Sequence, residues 1–218
     1  MEHFPITKRS LLYVAVVLLF STSLQAQDSW KHFTFDAGGG VSFPVGQLSN
    51  HAHTGFEFVA SGGPRFNESF SLGLDFSLHY FNVKNSLINP TTGIDLSLGS
   101  QVRVWSLTLN PTYQFMRREK YTTYATAGYG VYNRHLETPV PDRLGGAACD
   151  QFWNVCVSST PAGSSFSGNF STYKAGYNVG GGANFGTHTK LFVEIRYHHM
   201  FTTNSPTEII PLTFGVRW

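Results

Sequence analysis

Two cysteines and two histidines are the residues whose types and spacing best suit covalent or metal chemistry. Cys149 and Cys156 lie in the stretch CDQFWNVC, among Gly, Ser, Ala, Pro and Asn residues typical of a loop. Because thiols oxidise in an oxidising compartment, we expect them to form a disulfide there. Two thiols are too few for a structural zinc site. His51 and His53 have an H-x-H spacing but no third ligand nearby, so a solvated loop is the favoured interpretation. We therefore predict no metal and no cofactor.

The chain begins with a segment typical of an exported protein. Lys8 and Arg9 precede the apolar stretch 11–20, and small and polar residues follow as far as Ala26. A membrane-spanning helix needs about 20 apolar residues, so this stretch is too short to be one. We predict a cleaved secretory signal over residues 1–26 and a single domain over residues 27–218.

The composition narrows the class of that domain. Charged residues make up 13% of the chain, about half of the usual share in a soluble globular domain, while aromatic residues make up 15%. The formal net charge is +2, and no basic cluster exceeds the pair Arg117–Arg118, so a nucleic-acid partner is not expected.

Apolar and polar residues alternate with a period of two in eight runs, as in β-strands with one apolar face. A weaker alternation at residues 94–98 has the opposite phase to the run after it, and we interpret it as a long loop whose end extends the fourth strand. The eight runs cover residues 33–43, 56–61, 70–80, 105–115, 121–134, 173–185, 191–198 and 209–218.

The connections between these runs alternate between long and short. Residues 44–54, 82–101 and 135–170 form long connections, and short turns lie between the other neighbouring runs, apart from a modest connection at 202–208. Long loops at one end and tight turns at the other are typical of transmembrane β-barrels. We therefore predict an all-β protein, an eight-stranded antiparallel up-and-down transmembrane β-barrel with long extracellular loops and short periplasmic turns.

The composition of the two faces decides between this barrel and a soluble one with an apolar interior. A water-facing exterior would need many Lys and Glu residues, which are scarce here. The polar face consists mainly of Gly, Ser, Thr, Asn and Asp, which fit the narrow interior of an eight-stranded barrel. The Phe, Leu, Val and Tyr face suits lipid, and aromatic residues near the run ends suit the two interfaces.

Charged and titratable residues at the predicted inward positions must pair with one another in a narrow lumen. We expect a structural core of ion pairs that plugs the barrel, and a proton or ion path is the alternative. The predicted charge cluster is Asp36, Glu57, Asp75, Arg103, Glu194, Arg196 and Arg217, and the further inward positions are His79, Lys174 and His198.

Three stretches resemble a known family. LFVEIRYHH, YTTYATAGYGVY and the terminal LTFGVRW are similar to strands of the small bacterial outer-membrane β-barrels, the OmpA/OmpX-like family. The resemblance covers nearly all of residues 27–218 and implies a location in the outer membrane of a Gram-negative bacterium. It also implies that Phe214 and Trp218, in the last strand, form a recognition signal for the barrel-assembly machinery. The long loop with its cysteine pair departs from the shortest members.

The stretch YHHMFTTNS invites comparison with lipid A deacylases, which are also eight-stranded barrels. Such a site needs a His, a nucleophilic Ser and an acidic residue that orients the His. Those enzymes place the Ser two positions after the His, but here Phe201 follows His199 and Met200 follows His198 at that spacing. We therefore predict no enzymatic activity, and a lipid A-modifying enzyme is the weaker alternative.

The long loop from residue 135 to residue 170 is the predicted working surface. The disulfide would present Phe152 and Trp153 at its tip, and exposed rings on a constrained loop are typical contact residues. We expect a role in surface interaction, adhesion or envelope integrity, with narrow porin-like passage of small solutes as an alternative. The expected partners of a monomer are outer-membrane lipid and lipopolysaccharide, the assembly machinery and an unidentified extracellular ligand.

Overall fold

The computed structural model describes residues 33–84, 100–140, 148–150, 152, 155–157, 166–186, 189–202 and 206–218. Residues 34–218 form one compact unit. Among the described residues, no helix is long and apolar enough to cross a membrane.

Eight strands close into a barrel, and a separate two-stranded sheet, β6–β7, lies in the longest connection. Around the barrel the order is β1, β10, β9, β8, β5, β4, β3, β2, so strands that follow one another in the barrel are also neighbours in space. One helical turn, α1 (Leu48–His51), lies between the first two strands. The strands are β1 (Phe33–Val45), β2 (Gly55–Pro64), β3 (Phe70–Asn82), β4 (Gln101–Arg117), β5 (Tyr121–Val140), β6 (Ala148–Asp150), β7 (Val155–Val157), β8 (Phe166–Phe185), β9 (Lys190–Met200) and β10 (Thr207–Arg217).

The last strand closes the barrel against the first. β10 pairs antiparallel with β1 from Asp36 opposite Arg217 to Val45 opposite Glu208. The backbones of Trp218 and Phe35 exchange two further hydrogen bonds, of 2.8 and 3.3 Å. This closure gives the strands of the barrel partners on both sides, which a lipid environment demands. The predicted eight-stranded antiparallel barrel is confirmed.

The connections are segregated by length. Residues 46–54, 83–100, 141–165 and 201–206 connect strands at one end, which we call the long-loop end. Residues 65–69, 118–120 and 186–189 connect strands at the other, the short-turn end. The proposed strand extension at residues 94–98 lies outside the described residues.

Two strands are longer than their alternation predicts. β5 and β8 have 20 residues each and stay paired out to Val140 and Phe166, whereas β9 reaches only to Gly176 of β8. A tilted membrane strand needs about 9–11 residues, so this hairpin continues past the long-loop end of the barrel. The predicted long connection over residues 135–170 was wrong at both ends, because its first residues belong to β5 and its last to β8. Backbone hydrogen bonds pair two strands whatever their side-chain pattern, so alternation does not mark the full length of this hairpin.

The cysteine pair lies in the small β6–β7 sheet. The backbone register places Cys149 directly opposite Cys156. Their side chains, like the whole of Trp153, lie outside the described residues. The disulfide stays a prediction, and alkylation of the two thiols with and without a reductant tests it.

The apolar face of the strands points outward. Phe58, Leu109 and Ile195 are each more than half exposed although they lie in the middle of strands. A barrel with this exterior suits lipid and not water, as the composition predicts. The other strongly exposed apolar residues on barrel strands include Phe35, Val41, Phe43, Phe56, Leu74, Phe76, Leu107, Tyr113, Phe115, Tyr129, Val131, Tyr173, Val179, Phe185, Leu191 and Phe214.

Candidate functional site: the filled lumen

The centre of the lumen holds a buried ion triad. Arg196 on β9 contacts Asp75 on β3 and Glu194 on its own strand, with an N–O distance of 2.7 Å in each pair. The three side chains are at most 8% exposed. β3 and β9 are four strands apart in a ring of eight, so the Arg196–Asp75 pair joins opposite walls of the barrel. The triad therefore fills the lumen at its middle.

Hydrogen bonds from uncharged side chains complete the environment of Asp75. Ser61 donates to one carboxylate oxygen at 2.5 Å, and the Asn110 amide donates to the other. Asn178 in turn donates to Asn110 at 3.1 Å and to Thr108 at 3.2 Å. A buried carboxylate is stable only when its oxygens are paired in this way.

A second ion pair lies toward the short-turn end and crosses the closing seam. Arg217 on β10 makes two 2.7 Å hydrogen bonds to Asp36 on β1, the bidentate geometry that favours arginine. The guanidinium also donates to Asn184 at 3.0 Å and lies 4.6 Å from the ring centroid of Tyr124. The Tyr124 hydroxyl donates to Glu194 at 3.0 Å, which connects the seam to the central triad.

A third group surrounds a fully buried histidine nearer the long-loop end. The two ring nitrogens of His79 lie 2.8 Å from the Ser42 hydroxyl and 3.1 Å from the Ser77 hydroxyl. The Glu57 carboxylate is 3.4 Å from His79 Nδ1 and accepts a hydrogen bond from the Thr213 hydroxyl. These contacts join β1, β2, β3 and β10 across the interior.

His198 extends this group toward β5. Its ring meets that of His79 edge-on at 5.2 Å between centroids, and its Nδ1 lies 3.1 Å from the Tyr132 hydroxyl. Together these groups form what we call the polar network. Its members are Asp36, Glu57, Asp75, His79, Tyr124, Tyr132, Glu194, Arg196, His198, Thr213 and Arg217.

Apolar side chains close the lumen above the polar network, at the long-loop end. Leu48 from α1 is fully buried among side chains of several strands. The Lys84 ammonium donates to the Ser49 carbonyl at 2.5 Å and so holds α1 over the barrel mouth. We call this group the apolar plug. Its members are Leu48, Ala52, Phe81, Val83, Val102, Val104, Leu136, Met200 and Ile209.

Phe152 lies against this plug and not at an exposed loop tip. Its ring stacks on His51 with 3.9 Å between centroids and an interplanar angle of 4°. Arg134 donates to the Phe152 carbonyl at 3.2 Å and to the Thr207 hydroxyl at 3.0 Å. The exposed position predicted for Phe152 is therefore wrong, because its ring packs against His51 and the plug and is half-buried.

Six of the seven predicted cluster residues line the lumen, and Arg103 does not. It lies on the outward face near the long-loop end and pairs at 2.7 Å with Glu137 on β5. The two side chains are 40% and 49% exposed. Arg103 shares the phase of Trp105 and Leu107, and beyond the apolar band an outward position can carry a charge. Lys174, also predicted to point inward, is exposed.

Alternation alone did not single out several bulky residues of the interior. Tyr124, Tyr132, Phe192 and Arg134 are each at most 4% exposed. They share the phase of the polar residues on their strands, so strand phase could have identified them as inward-facing. Glycines beside the aromatic rings on a neighbouring strand would have strengthened it.

Two of these glycines show how the rings fit. A Cβ added to Gly182 would lie 2.7 Å from the Tyr124 hydroxyl oxygen. One added to Gly176 would lie 2.7 Å from the Tyr132 ring. Glycines inside the strands therefore provide the space for aromatic side chains in the lumen.

An outward-facing histidine near the long-loop end has part of the arrangement a hydrolase needs. His199 Nδ1 lies 3.3 Å from a Glu208 carboxylate oxygen and 3.1 Å from the Tyr197 hydroxyl. An acid oriented in this way could support a basic imidazole. Within the described part of the chain, however, no Ser or Cys side chain forms a hydrogen bond with His199, and Phe201 packs against its ring. The arrangement lacks a nucleophile among these residues.

The two histidines considered as metal ligands lie in different environments. His51 stacks on Phe152, whereas His53 is exposed. Among the described residues, no three His, Cys, Asp or Glu side chains are grouped so as to hold a metal ion.

Comparison with known proteins agrees with this geometry. The family model described as outer membrane protein beta-barrel domain matches residues 13–217. Neisserial surface protein A has a similar structure, with a TM-score of 0.56, 16% identity, and coverage of 85% of this chain and 95% of that one. A major outer membrane protein from Thermus thermophilus has a TM-score of 0.50, 10% identity, and coverage of 85% of this chain and 98% of that one.

A third similar structure is Ail, the attachment invasion locus protein of Yersinia pestis, with a TM-score of 0.45, 15% identity, and coverage of 86% of this chain and 98% of that one. Comparison with curated protein sequences finds no match.

Proposed function

Because this chain belongs to the family of outer-membrane β-barrel domains, we propose that it is a closed, non-conducting barrel that acts through its extracellular end and outer wall. Its location in the bacterial outer membrane follows from the family and confirms the prediction from the sequence. The long-loop end is then extracellular and the short-turn end periplasmic.

The filled lumen is the observation that carries this proposal. The central triad joins opposite walls, and the apolar plug lies above it, so two unlike barriers are stacked along the same axis. A conducting pore needs a continuous file of water, whereas the interior of an eight-stranded barrel is just wide enough for side chains to fill. The roles left to the protein are therefore at its surfaces, in envelope integrity or in contacts with other molecules.

A cleft on the outer wall supports glycolipid contact as part of that role. Its volume is about 350 Å³, and it lies where β2, β3 and β4 reach the extracellular end. Phe56 and Tyr80 stack within it at 5.0 Å between ring centroids, and Asn82 and Gln101 bring amide groups. The outer leaflet that surrounds this end contains lipopolysaccharide. Rings and amides suit its sugars, because apolar faces and a few polar groups are what ligand clefts combine.

Conductance of single proteins in a planar bilayer tests the closed lumen. We expect no current steps above the baseline of the bilayer at potentials at which a porin, incorporated as the positive control, conducts. Steady steps from the unaltered protein would reject the proposal and favour the passage of small solutes.

Lipopolysaccharide binding tests the outer wall separately. We expect Tyr80→Ala combined with Asn82→Ala to weaken binding of purified lipopolysaccharide to the protein in detergent micelles by about tenfold, because stacking and amide contacts are lost together. Tyr113→Ala is the matched control, since Tyr113 is an outward tyrosine at the periplasmic end. Equal effects of the two changes would show that the cleft has no particular role.

The long hairpin and its connection form the second proposed surface. Deleting residues 145–160 should leave the barrel folded, as judged by the different migration of boiled and unboiled samples on a gel. A surface-binding phenotype, such as adhesion to a chosen cell layer, should then be lost. Unfolding of the deletion variant would instead assign these residues a structural role, in keeping with the packing of Phe152 on the plug.

The closing strand supports a proposal about assembly. Phe214 and Trp218 are 53% and 55% exposed on the outward face of the seam strand, where another protein can contact them before the barrel closes. We expect Phe214→Ser with Trp218→Ser to slow folding by the purified assembly machinery more than spontaneous folding into thin bilayers. Equal slowing in both reactions would contradict a recognition role.

A further inference from the structure

Four basic residues surround the periplasmic mouth of the lumen. The backbone register places each on the inward face: Arg65 pairs with Ser71, and Lys190 lies opposite the inward Arg217. Arg117 lies opposite the buried Thr122, because the register of β4 shifts between Gln114 and Met116 and reverses the phase of the residues that follow. They come from four different strands or strand ends. We call them the mouth cations, namely Arg65, Arg117, Lys190 and Arg217.

Two of the mouth cations already have acidic partners. Arg217 holds Asp36 in the bidentate pair across the seam. Arg117 contacts the Glu68 carboxylate, which is 86% exposed on the periplasmic turn. Neither carboxylate is left over to neutralise another cation, because each has its own guanidinium.

The other two mouth cations have no partner within the part of the chain that the structure describes. Arg65 makes no side-chain hydrogen bond or ion pair there, and its Nε is buried without an acceptor. Arg196 also has an unpaired Nε, but its two other nitrogens hold carboxylates. Lys190 likewise has no acceptor among these residues and lies in the electrostatic field of Arg65, Arg117 and Arg217.

An unpaired guanidinium cannot become neutral by losing a proton, because its pKa is too high. A buried cationic donor without an acceptor is costly, so the position favours an acceptor that comes from outside the chain. Several cations aimed at one mouth also focus a positive potential there, which attracts anions.

We propose that the mouth cations form a site for an oxyanion of the phosphate class, bound from the periplasm. The planar Arg65 fork can donate two parallel hydrogen bonds to one phosphate, and the Lys190 ammonium can donate a third. Arg117 and Arg217 add charge without giving up their own partners. Phosphate chemistry reaches this mouth from two sources, soluble phosphates of the periplasm and the headgroups of anionic phospholipids in the inner leaflet.

Calorimetric titration of the full-length protein in a non-ionic detergent tests the site. Inorganic phosphate is the probe, and sodium chloride keeps the ionic strength constant so that screening does not change. We expect saturable binding, weakened about tenfold or more by Arg65→Gln and by Lys190→Gln, because each removes a charged donor. Arg118→Gln is the matched control, since Arg118 is exposed on the turn at the same end, and it should change the affinity by less than about twofold.

Folding is checked in each variant by gel migration of unboiled samples. Arg65→Lys adds a second comparison, because it retains the charge but loses the fork, and it should bind with intermediate affinity. Equal loss in Arg118→Gln and Arg65→Gln would overturn the proposal, since the effect would then be one of net charge.

A second experiment, with lipids, distinguishes a phospholipid headgroup from a soluble phosphate. The protein is reconstituted in nanodiscs of phosphatidylcholine alone or with phosphatidylglycerol, and retained lipid is measured by native mass spectrometry. Selective retention of phosphatidylglycerol that Lys190→Gln abolishes assigns the site to a headgroup. Phosphate binding that phosphatidylglycerol does not reduce assigns it to a soluble anion. Neither phosphate binding nor selective retention would overturn the proposal.

Discussion

The polar network and the apolar plug fill the same lumen by different physical means. In the network, charges from opposite walls meet in directional pairs such as Arg196 with Asp75, at 2.7 Å. In the plug, Leu48 and its neighbours exclude water by close packing of apolar side chains. The network uses strand residues throughout, whereas the plug depends on α1 from a connection.

The two groups therefore differ in how much stability a mutation removes and in how far they can adjust to it. Removing one partner of a buried ion pair lowers the stability of the fold strongly, because the other charge is left without compensation. Apolar contacts are not directional and can be partly restored when a loop shifts. We infer that the network holds the barrel walls together, and that the plug is a cover whose loss affects the extracellular end first.

The largest effect should come from Arg196→Met, which leaves Asp75 and Glu194 buried without their cation. We expect the free energy of unfolding to fall by about 3–5 kcal/mol. Urea titration of the protein in detergent micelles, followed by tryptophan fluorescence, measures it. Conductance should stay at baseline because the plug remains. Raised conductance in this variant would show that the network alone seals the lumen.

A smaller effect is expected for Leu48→Ala, which leaves a cavity in the plug. We expect a loss of about 2–3 kcal/mol, toward the low end for buried leucine, because the short α1 can close over part of the space. Hydrogen exchange of the amides at residues 46–54 should rise while that of the central strands does not. Equal rises in both regions would remove the distinction between cover and wall.

Thr213→Val should cost about 1–2 kcal/mol, because the Glu57 carboxylate loses a buried donor while the side-chain shape is kept. The same urea titration measures it. Thr213→Ser, which retains the hydroxyl, should recover most of the loss. If the serine variant is as unstable as the valine variant, packing and not the hydrogen bond is what Thr213 contributes.

The smallest effect should follow Arg103→Met, because its pair with Glu137 is exposed outside the lumen. We expect a change of about 0–1 kcal/mol, and less at high salt. A double-mutant cycle with Glu137→Gln isolates the coupling between the two side chains. A coupling as large as the loss in Arg196→Met would erase the contrast between buried and exposed pairs in this barrel.

Much of the lumen could be predicted from strand phase, and Arg103 shows that charge is a weaker guide to the inward face than phase. Phase assigns a side chain to a face, but the level along the strand at which the apolar band ends is set by how the barrel lies in the membrane. Phe152 shows a second limit. Its ring lies far from α1 in sequence, and only the folded connection brings it onto His51.

The sequence by itself determined the strands, the face that each presents outward and the alternation of long and short connections. These follow from local chemistry, because side chains alternate along any extended strand and lipid selects the apolar row. The tertiary structure decided which inward residues meet, since closure and register bring β3 opposite β9 and Asp36 beside Arg217. It also decided that the plug would cover the extracellular end and that, among the described residues, two cations would remain unpaired at the other. Such contacts depend on distances across the barrel, which no local pattern contains.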